Sequence, residues 1–83
     1  MKWHEIDLEV RVTKYDVVKT GRIAVSTNCD WSDDKLAAAV VEAARADEAG
    51  VTDVQVIRSR QLPAEPSPED YDKVFDLDRM LGI

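Results

Sequence analysis

Cys29 and His4 are the two side chains of this sequence that could support covalent catalysis. A cysteine thiolate is a nucleophile, and a histidine can accept its proton near neutral pH. A hairpin without a bulge would bring the two face to face, whereas a bulged register would place Cys29 near Val10. The sequence offers no oxyanion donor and no group to orient the histidine, and a free cysteine is usually a small buried apolar residue. We therefore expect no enzymatic activity.

Three carboxylates near the N-terminus form the second candidate. Glu5, Asp7 and Glu9 alternate with apolar residues, a pattern typical of a strand with one buried and one solvated face. On the solvated face they would stand about 6.6 Å apart. Such a row could imitate the charges of a nucleic-acid backbone or steer the chain onto a basic partner. The alternative is that these charges only keep a small domain soluble.

The C-terminal quarter adds further carboxylates. Residues 61–83 carry six acidic and two basic side chains, whereas residues 1–60 carry eleven and nine. Most of the excess negative charge is therefore near the C-terminus. The predicted partner-binding residues are Glu5, Asp7, Glu9, Glu69, Asp70, Tyr71, Asp72, Phe75 and Asp76.

Asp30, Asp33 and Asp34 raise the question of a cation site. Their spacing is not that of an EF-hand loop, which needs alternating ligands, a glycine and a distal Glu. A role at the start of a helix explains them better, because negative charge is favoured there. The single cysteine excludes a multi-cysteine zinc site and an internal disulfide. We expect no metal and no cofactor.

Length and charge narrow the class of protein. The 83 residues are enough for one small domain, and 45% hydrophobic content is that of a globular chain. A net charge of −6 disfavours direct binding to nucleic acid and favours a basic protein partner, which could itself be a nucleic-acid-binding protein. The sequence predicts neither a secretory signal nor a membrane helix, so we expect a cytoplasmic protein.

The N-terminal half predicts two strands, over about residues 3–14 and 22–28. Lys19, Thr20 and Gly21 are typical of a tight turn between them. That turn would need a β-bulge near residues 14–16 to keep the apolar positions of both strands on one face. A wider loop over residues 15–20 without a bulge is the alternative.

A helix and a third strand follow. Ser32 is the predicted N-cap of a helix that ends at Gly50, with Trp31 packed on its first turn. The third strand covers about residues 52–60, and a right-handed crossover places it beside the first. The sequence thus predicts a two-layer α+β fold, ββαβα, with a three-stranded antiparallel sheet of order 2-1-3 under one helix.

Prolines separate residues 1–62, the predicted ββαβ domain, from the C-terminal segment. Pro63, Pro66 and Pro68 mark an extended linker, and Ser67 is the predicted N-cap of an acidic amphipathic helix within residues 63–83. The apolar stripe of that helix could fold back on its own sheet or dock on another chain. In the second case the chain would be an assembly subunit, for example a homodimer.

Size, charge and element order across residues 3–60, including the alanine-rich helix around residues 36–44, resemble the small accessory proteins of phages and mobile elements. Some of those proteins are anti-CRISPR or other anti-defence inhibitors. The resemblance implies a non-enzymatic protein that binds a basic surface of a partner and inhibits or regulates it.

Overall fold

The computed structural model of the chain describes residues 1–12, 14–47 and 51–82, with the backbone alone described for Val51 and Thr52. In chain order the elements are β1 (Lys2–Val12), β2 (Val17–Thr27), α1 (Asp33–Asp47), β3 (Val51–Leu62), a 3₁₀ turn (Pro68–Asp70), β4 (Lys73–Asp76) and α2 (Leu77–Leu81).

One four-stranded sheet of order β3-β1-β2-β4 organises the molecule. β1 pairs antiparallel with β2 and with β3, and β4 pairs parallel with β2. The predicted α+β class and the position of β1 between β2 and β3 are confirmed. The prediction of three strands, all antiparallel, is wrong because the C-terminal segment supplies a fourth strand in parallel orientation.

The β1–β2 hairpin is longer than predicted. Its register runs without interruption from Lys2 opposite Thr27 to Val12 opposite Val17. The predicted turn at residues 19–21 is therefore wrong, and so is the predicted wider loop over residues 15–20. The described part of the turn is residues 14–16, where Asp16 has φ 48°, a conformation that Asp tolerates better than most residues.

This register explains why the predicted bulge near residues 14–16 is absent from the β1–β2 pairing. Pairing Ile6 with Ile23 places the even positions of β1 and the odd positions of β2 on one face. The apolar residues that this face gains from the two strands are Ile6, Leu8, Val10, Val12, Val17, Ile23 and Val25. Irregularities occur instead between β1 and β3, after Asp7 and after Arg11. The irregularity after Asp7 places Val54 and Val56 on the apolar face, whereas Arg58 and Arg60 pair with Asp7 and Glu5 on the other.

Helix α1 covers that apolar face. The hydroxyl of Ser32 accepts a hydrogen bond from Lys35 N at 3.4 Å, which confirms the predicted N-cap. The predicted end at Gly50 lies outside the described residues. The buried side of α1 is rich in alanine and packs against the sheet. The shared core comprises Ile6, Leu8, Ile23, Val25, Leu36, Ala39, Val40, Ala43, Val54, Phe75 and Leu77.

The C-terminal segment does not form the predicted long helix. It forms a 3₁₀ turn, the short strand β4 and the five-residue helix α2. Phe75 and Leu77 alternate with acidic residues, and both are buried. Their burial against β2 and α1 and the pairing of β4 with β2 stabilise this arrangement, because the edge of β2 gains backbone partners. The segment therefore packs on its own chain.

Residues 63–72, hereafter the crossing segment, connect β3 at one edge of the sheet to β4 at the other. β2, β3 and β4 are parallel to one another. The connection from β2 through α1 to β3 and the connection from β3 to β4 are therefore both crossovers, which are almost always right-handed. Because they run in opposite directions, they must lie on opposite faces of the sheet. The crossing segment thus covers part of the face that was predicted to be solvated, and Tyr71 reaches Glu5 there.

Candidate interaction surfaces

Glu5 is buried beneath the crossing segment, and the prediction that it faces solvent is wrong. Its side chain is 7% exposed. It accepts hydrogen bonds from Arg60 Nε at 3.3 Å, Arg60 Nη2 at 3.2 Å and the Tyr71 hydroxyl at 2.8 Å. Arg22 Nε lies 3.6 Å from the same carboxylate. Glu5 therefore joins three separate parts of the chain and cannot contact a partner in this conformation.

The electrostatics of this cluster keep Glu5 ionised. Hydrogen bonds from Arg60 and Tyr71 lower the pKa of Glu5, and they outweigh the opposing effect of burial. Burial and the bond to Glu5 raise the pKa of Tyr71, so its phenol remains a donor. The hydrogen bond to Glu5 also raises the pKa of Arg60. The cluster is a satisfied structural unit rather than an acid–base pair poised for catalysis.

Asp7, the next carboxylate of the row, is also compensated. Arg22 Nε lies 2.8 Å from Asp7 Oδ1, and Arg58 Nε lies 3.7 Å from Asp7 Oδ2. The sequence indicates this pairing by its spacing. Arg58 and Arg60 are two residues apart in β3, as Glu5 and Asp7 are in β1, so each pair lies on one face of its strand. Two of the three carboxylates in the predicted row, Glu5 and Asp7, are therefore paired with arginines, whereas Glu9 forms no ion pair with any described residue.

The crossing segment presents the uncompensated acidic surface. Glu65, Glu69, Asp70 and Asp72 are all exposed, and the sequence has no basic side chain from residue 61 to residue 72. The backbone N of Asp72 donates to Arg22 O at 2.9 Å, and Asp72 Oδ2 accepts from Arg22 N at 2.9 Å. These bonds and the Tyr71–Glu5 bond anchor the C-terminal end of the segment to the sheet.

Gly21 lies next to this anchor. A Cβ atom added at Gly21 would lie 3.1 Å from Asp72 Oδ2. The glycine thus permits a close approach of the carboxylate to β2. This role differs from the turn position that the sequence predicted for Gly21.

The nine predicted partner-binding residues fall into three groups by exposure. Glu69, Asp70, Asp72 and Asp76 are exposed; Asp7, Glu9 and Tyr71 are half-buried; Glu5 and Phe75 are buried. Phe75 belongs to the core because it lies in β4, which pairs with β2, and not on a free helix. The structure therefore concentrates the accessible predicted residues in the crossing segment and at the end of β4.

His4 and Cys29 are not brought together in the hairpin. His4 lies opposite Val25, whereas Cys29 follows the end of β2 and donates its backbone N–H to Thr27 Oγ1 at 3.1 Å. Burial and the charge of Lys2 lower the pKa of His4, against the opposing charge of Asp33.

Asp78 connects α2 to the loop before α1. Thr27 Oγ1 donates to Asp78 Oδ1 at 2.6 Å, and Asn28 N donates to Asp78 Oδ2 at 2.8 Å. These two bonds lower the pKa of Asp78. Trp31 Nε1 donates to the same Thr27 hydroxyl at 2.9 Å, and the Trp31 ring packs against the core. This end of the sheet is thus closed by a polar network.

At the opposite end of the sheet the described residues leave an apolar groove, which sequence analysis missed. The 15-residue helix α1 is about 22 Å long, whereas each 11-residue strand of the hairpin extends about 36 Å. The helix therefore leaves an apolar groove of about 350 Å³ beside the far half of the hairpin. The charged residues of its lining are Lys19, Asp47, Asp72 and Lys73. The sequence could have indicated this groove, because the predicted helix is shorter in ångströms than the predicted first strand.

Within the described ranges, no group of three or more His, Cys, Asp or Glu side chains is arranged to hold a metal ion. No α-helix there is long and apolar enough to span a membrane. No known family model, curated protein or solved structure matches this chain. Its function must be inferred from its own geometry.

Proposed function

We propose that this chain is a non-enzymatic interaction protein that binds a basic surface of a protein partner and thereby inhibits or regulates it. One observation carries the proposal: the exposed carboxylates of the crossing segment have no basic residue among them, and the C-terminal end of that segment is anchored to the sheet. Long-range attraction by such a surface raises the rate of association with a basic partner.

Anchoring of the crossing segment supports this function. The Tyr71–Glu5 and Asp72–Arg22 bonds hold its C-terminal end, and three prolines restrict its backbone. A segment that is ordered before binding loses less conformational entropy when it binds. Its charges are thus presented in a defined arrangement.

A nucleic-acid-binding protein is the partner class that we propose. Such proteins carry clustered Lys and Arg to neutralise phosphates, and the crossing segment offers carboxylates in place of phosphates. An anti-defence inhibitor of the phage type, such as an anti-CRISPR protein, would act in this way. The structure gives no comparable support to assembly through a C-terminal helix, since Phe75 and Leu77 are buried in their own chain.

Neutralising the crossing segment tests the proposal. The triple variant Glu65→Gln, Glu69→Gln, Asp70→Asn removes three exposed charges and leaves the Asp72 anchor intact. Affinity capture from a lysate of the host cells, at about 50 mM and about 500 mM salt, should retain a basic partner on the wild-type chain at low salt only. The triple variant should lose that partner at both salt concentrations.

The matched control removes three exposed charges from α1 through Asp33→Asn, Asp34→Asn and Glu42→Gln. The net charge of the two triple variants is the same, so only the location of the change differs. The control should capture the partner as the wild-type chain does. A partner that both triple variants retain, or one indifferent to salt, would show that the crossing segment is not the binding surface.

A further inference from the structure

The outer edge of β2 is only half occupied. β4 pairs with Ile23 to Ser26 of β2, and the Asp72 anchor extends the contact to Arg22. From Val17 to Gly21, β2 continues as a strand, and no described strand lies on its outer side. A stretch of strand edge next to a natural parallel strand is thus open.

The backbone geometry shows which groups face this open edge. Both the N–H and the C=O of Arg22 point outward, because each bonds to Asp72. Backbone groups alternate sides along a strand, so the N–H and C=O groups of Thr20 and Val18 point outward as well. An added strand would find two residues with donors and acceptors directed towards it.

The apolar groove opens beside the same edge. Gly21 faces the α1 side, and Asp72 Oδ2 lies 3.1 Å from the position that its Cβ atom would take, so Asp72 borders this part of the groove. The floor and walls there are formed by Leu8, Val10, Ile23, Ala44, Val54 and Phe75. A strand added to β2 would direct every second side chain to this side of the sheet. One apolar side chain of such a strand can therefore enter the groove.

The charges at the turn end of this edge favour an acidic occupant, and the two carboxylates of the groove lining, Asp47 and Asp72, are bonded to Lys73 Nζ and Arg22 N. Residues 10–22 contain four basic side chains and one acidic side chain, in a chain with a net charge of −6. Arg11 and Arg22 are engaged on the far face by Asp16 and Asp7. Lys14 and Lys19 are exposed and form no ion pair with any residue that the structure describes.

From these observations we propose that the outer edge of β2 binds an extended peptide segment of another protein, with an apolar side chain in the groove and carboxylates beside Lys14 and Lys19. The peptide adds a strand to the sheet in line with β4. Main-chain hydrogen bonds to Val18 and Thr20 supply affinity, and the groove and the lysines supply selectivity. This site borders the crossing segment at Asp72, but it takes a partner of the opposite charge.

A random nine-residue peptide library, displayed on phage and selected against the full chain, tests the proposal. Enriched peptides should alternate apolar residues with Asp or Glu. Their affinity is then measured by fluorescence anisotropy with synthetic labelled copies. Thr20→Pro removes the outward N–H without removing a bond to β1, since proline is tolerated at strand edges. It should weaken binding at least about tenfold, whereas Thr20→Ala should leave the affinity unchanged.

Lys19→Glu provides a second test that leaves the backbone intact, and it should also weaken the acidic peptides at least about tenfold. Failure to enrich any peptide, enrichment of basic peptides, or equal affinity for Thr20→Pro, Lys19→Glu and wild type would overturn the proposal. Light scattering of the wild-type chain and of Thr20→Pro tests whether a second copy of the chain occupies the edge. A dimer that Thr20→Pro dissociates would overturn the proposal and make this edge a self-association site. The triple variant Glu65→Gln, Glu69→Gln, Asp70→Asn should bind the peptides with wild-type affinity. A failure of the peptide site can therefore be distinguished from a failure of the proposed binding through the crossing segment.

Discussion

The two ends of the sheet differ in how completely they are covered. At the end formed by Ile6 and Val25, α1 and α2 lie on one face and the crossing segment on the other, and both residues are 0% exposed. In the far half of the hairpin, residues 10–22, Val17 and Val18 are 42% and 46% exposed. We call these regions the covered end and the hairpin half.

Charge follows the same division. At the covered end the carboxylates of β1 are paired with arginines of β2 and β3 and are partly or fully buried. In the hairpin half two lysines lie beside an open strand edge and an apolar groove. Glu5 and Asp7 are thus compensated within the fold, whereas Lys14 and Lys19 form no ion pair with a described residue, although Arg11 of the hairpin half is paired with Asp16.

Removing a core side chain should separate the two regions most clearly. Phe75→Ala removes a buried side chain of β4 and should lower the free energy of unfolding by about 3 kcal/mol, because it leaves a cavity between the sheet and α1. Val17→Ala, on the same face in the hairpin half, should cost less than about 1 kcal/mol. Urea unfolding followed by circular dichroism measures both. Equal costs would show that the hairpin half is packed as tightly as the covered end.

The buried carboxylate should give the next largest effect. Glu5→Gln removes the charge that accepts bonds from Arg60 and Tyr71, and we expect a loss of about 2 kcal/mol in unfolding free energy. Glu9→Gln is the matched control, four residues along the same face and half-buried. It should change stability by less than about 0.5 kcal/mol. A neutral result for Glu5→Gln would mean that the cluster adds no net stability.

The smallest expected effect is the dependence of stability on pH. The pKa values of Glu5 and Asp78 are lowered in the folded chain, so the unfolded state binds protons first as the pH falls. Their contribution is fully present well above their ordinary values of 4.5 and 3.8 and is lost as the pH falls through their folded-state pKa values. Unfolding in urea from pH 7 to pH 3 should show this loss. It should be shallower in Glu5→Gln.

His4 should contribute a separate step at higher pH. Its pKa is lowered from 6.5, mainly by burial, so the folded state resists protonation. Its contribution is present above pH 6.5 and declines below that pH. His4→Gln should remove this step and leave the acidic step unchanged. A profile that is flat between pH 7 and pH 5 in the wild type would contradict this assignment.

Much of the local structure could be predicted from residue patterns. The alternation of apolar and charged residues in β1 and the capping Ser32 indicated the strand and the start of α1 correctly. The burial and the ion pairing of the β1 carboxylates could not be predicted in the same way. Alternation shows that Glu5 and Asp7 share a face, but it does not show that Arg60 and the Tyr71 hydroxyl cover that face.

The C-terminal segment shows where local patterns mislead. Ser67, Pro68 and the acidic residues after them are typical of a helix start, and the structure has only a 3₁₀ turn there. Phe75 and Leu77 carried a competing period-two signal. The choice between helix and strand depended on an edge of β2 some fifty residues earlier in the chain.

The sequence by itself determined the α+β class, the two-faced strand β1, the alanine-rich helix that covers it and the excess of negative charge. These properties arise from neighbouring residues and their periodicity. Only the tertiary structure decided that Glu5 is buried, that the C-terminal segment supplies a fourth strand and that the described residues leave an apolar groove in the hairpin half. Each of these depends on backbone groups and charges far apart in sequence, which gain partners only when the chain folds.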